Sequence, residues 1–170
     1  TLGTVALNNR RLRQLRPLAQ DTEGTPLSAS VLGLAVDTAG TGDVFVVTDD
    51  GRLIRYDAAD GSFVAEIGSV ADRFTFDALD IREIEFVGGT LYGLDALRDR
   101  LVTIEHRYSA MTSVGDLGAD FNLQALVVTP ADRMFAVNDN AGTFELYRID
   151  RGPTGNILET VLIGNIQDTA

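Results

Sequence analysis

The residues best equipped for chemistry are short clusters of acids and amides: Asp49-Asp50, Asn138-Asp139-Asn140, and Asn8 and Asp95 at matching points of the chain. Oxygen-rich groups of this kind could coordinate a hard cation such as calcium, or hydrogen-bond a sugar or a protein partner. Two carboxylates at the right separation could also hydrolyse a glycosidic bond. The spacing selects no such pair, and no Asp-x-Asp-x-Asp-Gly calcium loop occurs. Tight turns favour the same residue types for an architectural reason, since Asp and Asn bond their own backbone and tolerate positive φ. Asn8, Asp49, Asp50, Asp95, Asn138 and Asp139 are therefore candidate ligand-binding residues. No catalytic residue is assigned, the metal question stays open, and calcium is the one cofactor the chemistry allows.

Composition removes other chemistries. The 170 residues carry a net charge of -11 with a pI near 4.4, so nucleic acid and anionic membrane would be repelled over most of the surface. All 14 basic residues are arginine, which excludes lysine Schiff bases and phosphate-loop lysines. Cysteine is absent, and with it thiol nucleophiles, thiolate metal sites and disulfides. The lone histidine, His106, sits between Glu105 and Arg107 and is expected to be a solvated loop residue. Arg10, Arg11, Arg13 and Arg16 form a local basic cluster suited to protecting an edge strand or docking an acidic neighbour. Thr1 in place of an initiator Met suggests a processed product or a segment of a longer chain.

The elements that must position these residues are strands. Val44 to Thr48 is apolar and strand-favouring, Asp49-Asp50-Gly51 is a turn, and Arg52 to Asp57 returns as a second strand. The pattern recurs. Strands are expected at Val31 to Val36, Phe63 to Ile67, Ile81 to Val87, Thr90 to Leu94, Arg100 to Glu105, Met111 to Leu117, Leu123 to Val128, Met134 to Val137, Phe144 to Ile149 and Ile157 to Ile163. Val5 to Arg16 aligns without a gap on Val46 to Asp57. Asn8, Asp49, Asp95 and Asp139 then close the second strand of each unit, and Leu12, Leu53, Leu101 and Leu146 enter the third. Gly40-Thr41-Gly42 and Gly88-Gly89 fall between strands, with no helix following to cradle a phosphate, and are read as turns.

A period of about 41 to 46 residues with four short strands per unit predicts an all-β fold, a β-propeller of about four blades with the first incomplete. The repeats span about 1–28, 29–70, 71–119 and 120–166 of a single domain. Inner strands are expected to be apolar nearly throughout, because neighbouring blades cover both faces. The first unit lacks its innermost strand, so the chain forms either a small ring closed by its C-terminal tail or an arc of a larger ring.

Gly33-Leu34-Ala35-Val36-Asp37, Asp43-Val44-Phe45-Val46-Val47, Gly51-Arg52-Leu53-Ile54-Arg55-Tyr56-Asp57, Asp60-Gly61 and Ile67-Gly68 together resemble the blades of bacterial propellers of the quinoprotein-like and YVTN-like type. The Trp-Asp mark of WD40 blades is missing, as tryptophan is absent. Families with this fold include enzymes, binding modules and scaffolds, so the resemblance implies architecture more than activity. In a propeller the end of the second strand shares a face with the loops between blades. That places the six candidate residues on one rim with Asn140, Asp77, Asp80, Asp120 and Asn122.

The functional expectation is a non-enzymatic module that binds a protein or carbohydrate partner through this polar face, in an extracellular or periplasmic setting. A calcium-assisted hydrolase or lyase using rim carboxylates is the alternative. A structural, self-assembling segment that joins a homo-oligomer or further blades through open strand edges is the third.

Overall fold

The computed structural model describes residues 17–107, 110–117, 121–152 and 157–166, and every regular element among them is a strand. No helix among the described residues is long and apolar enough to cross a membrane. The first blade runs β1 (Val31–Val36), β2 (Val44–Thr48), β3 (Arg52–Tyr56) and β4 (Phe63–Ser69), paired antiparallel in chain order. The middle blade holds β5 (Ala71–Asp72), β6 (Ile81–Val87), β7 (Thr90–Asp95), β8 (Arg100–Glu105) and β9 (Ala110–Asp116), in the order β5-β9-β8-β7-β6. The last blade is β10 (Leu123–Val128), β11 (Met134–Asn140), β12 (Thr143–Arg151) and β13 (Ile157–Ile166), again in chain order. The short β5 was not foreseen. It leaves the first blade and pairs in parallel with the outermost strand of the middle one, stitching the two blades together before the chain enters β6.

Turn chemistry accounts for the hairpins. Gly51 takes φ 79° to close Asp49-Asp50-Gly51, and Gly88 and Gly89 take φ 56° and 79° between β6 and β7, as a two-residue hairpin turn requires. Both turns lie where the sequence puts them. Segment 17–28 forms a small bridge, Ala19 to Pro26. The first repeat otherwise lies outside the described residues.

Apolar strand faces stack blade on blade. Ala35, Phe45, Val47 and Leu53 of the first blade pack with Ile81, Ile84, Phe86, Leu91, Val102 and Ile104 of the second. Val87, Tyr92, Leu94 and Leu101 then pack with Leu123, Leu126, Met134, Ala136 and Ile149 of the third. The innermost strands β1, β6 and β10 stack in that order. Gly33 permits the closest approach, for a Cβ there would lie 2.9 Å from the Glu83 Cα.

The outward face of the first blade departs from the expectation of strands buried on both sides. Leu18 and Leu27 cover Val46, Ile54 and Tyr56, and the Tyr56 hydroxyl donates to the Ala19 carbonyl at 2.7 Å. Burial in that patch pushes the Tyr56 phenol up to about 12. The cover reaches β2 and β3 but not β1, whose Leu32, Leu34 and Val36 remain 38%, 44% and 39% exposed.

His106 also departs from expectation. It is partly buried, and its ring meets Phe45 and Phe86 edge-on with centroids 5.4 and 5.5 Å away. Phe45 belongs to one blade and Phe86 to the next, so the imidazole caps the seam between them. A polar sequence context, Glu105 and Arg107, hid this, because neighbours in sequence at a strand end point to different surroundings.

Candidate interaction face

The repeated strand ends converge on one structural position. Val31 pairs with Thr48, Ile81 with Asp95 and Leu123 with Asn138, and in each blade the register slips immediately afterwards. The residue that follows then donates its N–H to the residue before the innermost strand: Asp49 to Ser30, Ala96 to Asp80 and Asp139 to Asn122, each at 2.9 Å. The equivalent residues are therefore Thr48, Asp95 and Asn138. This corrects the alignment of Asp49 and Asp139 with Asp95. Both lie one residue further on, because the hairpins that follow differ in length and a constant offset cannot track them.

All three equivalent side chains are buried, at 1%, 1% and 4% exposure, and a buried polar group needs partners. Thr48 donates to the Asp50 carboxylate and accepts from the Arg52 N–H at 3.1 Å. Asp95 accepts from Arg100 Nε at 3.0 Å and Arg98 Nη1 at 3.4 Å. Its other oxygen, Oδ1, is buried with no hydrogen-bond partner among the described residues. Asn138 accepts from the Asn122 N–H at 2.6 Å and donates to Glu145 at 3.1 Å. Asp95 and Asn138 thus lock blades from within and are not open to solvent.

The more exposed candidates are also engaged. Asp49 accepts the Ser30 N–H at 3.0 Å. Arg52 donates to Asp50 at 2.9 Å and, with Thr48, holds that carboxyl below the usual carboxylate range. Asp139 accepts the Gly142 N–H at 2.7 Å. Asn140, Asn138 and Tyr147 all donate to Glu145, and those hydrogen bonds, Asn140 first, keep its carboxyl low. Arg82 grips Asp80 through Nε and Nη2 at 3.1 and 2.9 Å. Asp77 is exposed and faces Arg98 at 3.9 Å, while Asn122 receives Gln124. Asn8 and Asp120 lie outside the described residues. Among the described residues no group of three or more Asp, Glu or His side chains is arranged to hold a metal ion.

Reasoning on oxygens misses the apolar part of the same face. The loop between β5 and β6 exposes Phe74 and Phe76 at 81% and 82%, and the β7–β8 turn exposes Leu97 at 69%. The loop is tightly built. The Asp72 N–H donates to the Asp77 carbonyl at 2.9 Å, and the Phe76 N–H to the Asp72 carbonyl at 2.8 Å. Asp72 Oδ1 accepts from the Phe74 and Thr75 N–H groups at 2.9 and 3.2 Å, which hold its carboxyl below the usual range. Arg100 and Arg98 tie the loop to the turn through Asp72 at 3.3 Å and Asp77 at 3.9 Å. Phe76 is held at φ 60°, a conformation a bulky side chain resists. The sequence places Phe74 and Phe76 in the long connection from Ser69 to Leu79, but their residue types alone do not mark them as exposed.

Comparison with known proteins agrees on architecture. No family model matches the chain, and no curated protein does. Among solved structures it is similar to a chain of the nidogen/laminin complex, with TM-score 0.63 and 13% identity over 95% of this chain and 57% of that one. It is also similar to the RRP9 WD40 repeats, TM-score 0.55 and 11% identity over 82% of this chain and 41% of that one. BamB from Moraxella catarrhalis gives TM-score 0.50 and 13% identity over 80% and 38%. The chain spans between about two fifths and three fifths of these structures. At such identities the likeness concerns the fold alone, and the three stacked sheets, antiparallel but for the short β5, are blades of a partial β-propeller.

Proposed function

We propose that this protein is a non-enzymatic propeller module that binds a protein partner through the face carrying the second-to-third strand turns and the loops between blades. The observation that carries this reading is the engagement of the rim acids. Asp49, Asp50, Asp80, Asp95 and Asp139 each bond a backbone N–H or an arginine of their own blade. A hydrolase of either the calcium-assisted or the paired-carboxylate kind needs acids free for a metal or a substrate; here they hold turns in shape, which suits a surface built for display. Selection of a phage-displayed cyclic peptide library against the folded protein, with amide chemical-shift mapping of the binders, tests the reading. Shifts concentrated in the turns at 49–51, 96–99 and 139–142 and the loop at 72–77 are expected. Binders that map to the opposite ends of the strands would sink it, and a parallel glycan array showing sugar binding on this rim would transfer the face to a carbohydrate.

A second reading concerns assembly. The outer blades expose Leu34 and Val64 at one end, and Val127, Leu162 and Ile163 at the other, at 41–51%. These are the faces that blade stacking covers elsewhere in the chain, so further blades, from a second copy or from elsewhere, would complete them. Sedimentation velocity resolves this: a monomer at all concentrations removes the second copy as the source.

A further inference from the structure

We infer that the Phe74–Phe76 loop, with Leu97 from the adjoining turn, is an anchor that enters an apolar pocket rimmed by basic residues on a partner protein. The inference rests on the interaction-module reading and narrows it to one place on the middle blade.

Three observations meet there. Phe74, Phe76 and Leu97 are 69–82% exposed, whereas the other exposed large hydrophobics lie at 38–51% on strand faces. Buried aromatic anchors dominate binding energies at protein interfaces, and a side chain already fixed loses less entropy on docking. The loop is so fixed, by the Asp72 and Asp77 backbone bonds and the Asp72 carboxylate beneath it. Phe76 keeps a positive φ of 60° that glycine would adopt freely, so the phenylalanine sits there at the expense of the fold. Strain retained at a solvent-facing side chain points to use outside the fold.

Charge selects the occupant. Arg82 is paired with Asp80, and Arg98 with Asp77 and Asp95, while the Asp77 side chain stays 62% exposed. Arg73, exposed beside Phe74, offsets that acid locally, so the selection comes from the chain as a whole, whose net charge of -11 favours a cationic rim and opposes an anionic bilayer.

The probe is a fluorescein-labelled amphipathic peptide of leucine and arginine, followed by anisotropy and amide shifts. Phe74→Ser and Phe76→Gly should each weaken binding about tenfold, added salt should weaken it further, and Ala58→Ser in the exposed β3–β4 turn should leave it unchanged. Phe76→Gly should melt at or above the parent temperature while it binds worse, which a structural phenylalanine would not do. Unchanged affinity in both phenylalanine variants overturns the inference, as does a lower melting temperature for Phe76→Gly. Phenylalanine-dependent pelleting with phosphatidylcholine or phosphatidylserine vesicles overturns it in favour of a membrane, and phenylalanine-dependent dimerisation in favour of a second copy. Shifts confined to the 49–51 or 139–142 turns overturn it while leaving the loop-face reading intact; shifts away from the loop face overturn both.

Discussion

Arg100 bonds Asp95 across β7 and β8 at 3.0 Å, in the position where Thr48 meets Arg52 in the first blade and Asn138 meets Glu145 in the last. The Asp95 side chain is fully buried and that of Arg100 is 19% exposed. Arg100 keeps Asp72 as a partner at 3.3 Å, so Asp95→Ala should destabilise the protein by about 1–3 kcal/mol, the cost of leaving the Arg100 Nε donor without its acceptor. Asp95→Asn, which keeps an acceptor for Arg100, should cost less. Urea unfolding monitored by circular dichroism measures both.

Gly33 is where β1 comes nearest β6. A methyl group there would meet the Glu83 Cα at 2.9 Å and the Ile84 nitrogen at 3.1 Å, both backbone atoms that can yield only if the blades part. Gly33→Ala should therefore cost about 1–3 kcal/mol, with increased hydrogen exchange at Ile84 as the local mark. Gly42, with open space around its Cβ position, is a poor comparison because its φ is 78°.

Glu83 is half-buried on β6, and burial pushes its carboxyl above the usual range, with Glu85 nearby adding to the effect. A raised value means that the folded state prefers the protonated form. Its contribution to stability is complete below the ordinary carboxylate range and disappears as pH rises through the shifted value. Glu83→Gln should raise the melting temperature near pH 7 and leave it almost unchanged near about pH 4. Equal effects at the two pH values would remove the titration from the explanation.

His106 closes the seam between the first two blades against Phe45 and Phe86, which also meet each other at 5.3 Å. His106→Ala should cost about 1–2 kcal/mol through two lost edge contacts. His106→Phe should recover most of the loss if packing is the whole role. Thermal unfolding of the two variants separates packing from any polar contribution.

Much of the fold was legible because blades use short strands with local turns. β1, β2, β6, β8 and β10 begin and end where alternation and Gly or Asp turns put them. Of the repeated leucines, Leu53 and Leu101 are fully buried, whereas Leu146 in the last blade is only partly so. The rim was harder. Asp49 and Asp139 share composition with Asp95 but not position, since composition carries no register where hairpins differ in length. Phe74 and Phe76 fall in the connection from Ser69 to Leu79, where a loop is expected, but a phenylalanine's type alone does not tell an exposed ring from one folded back on the core. Only the loop's own bonds, made by Asp72 to residues two and three further on, turn those rings outward.

The register slip at the start of each innermost strand sets aside one extra residue per blade: Leu32, Arg82 and Gln124. One is aliphatic, one grips Asp80, and one bonds Asn122. Change at that slot shifts neither the ladder before it nor the core after it. It is a position where blades can diverge freely, so mutational drift can rewrite the edge of this face while the stack that supports it stays under a separate constraint.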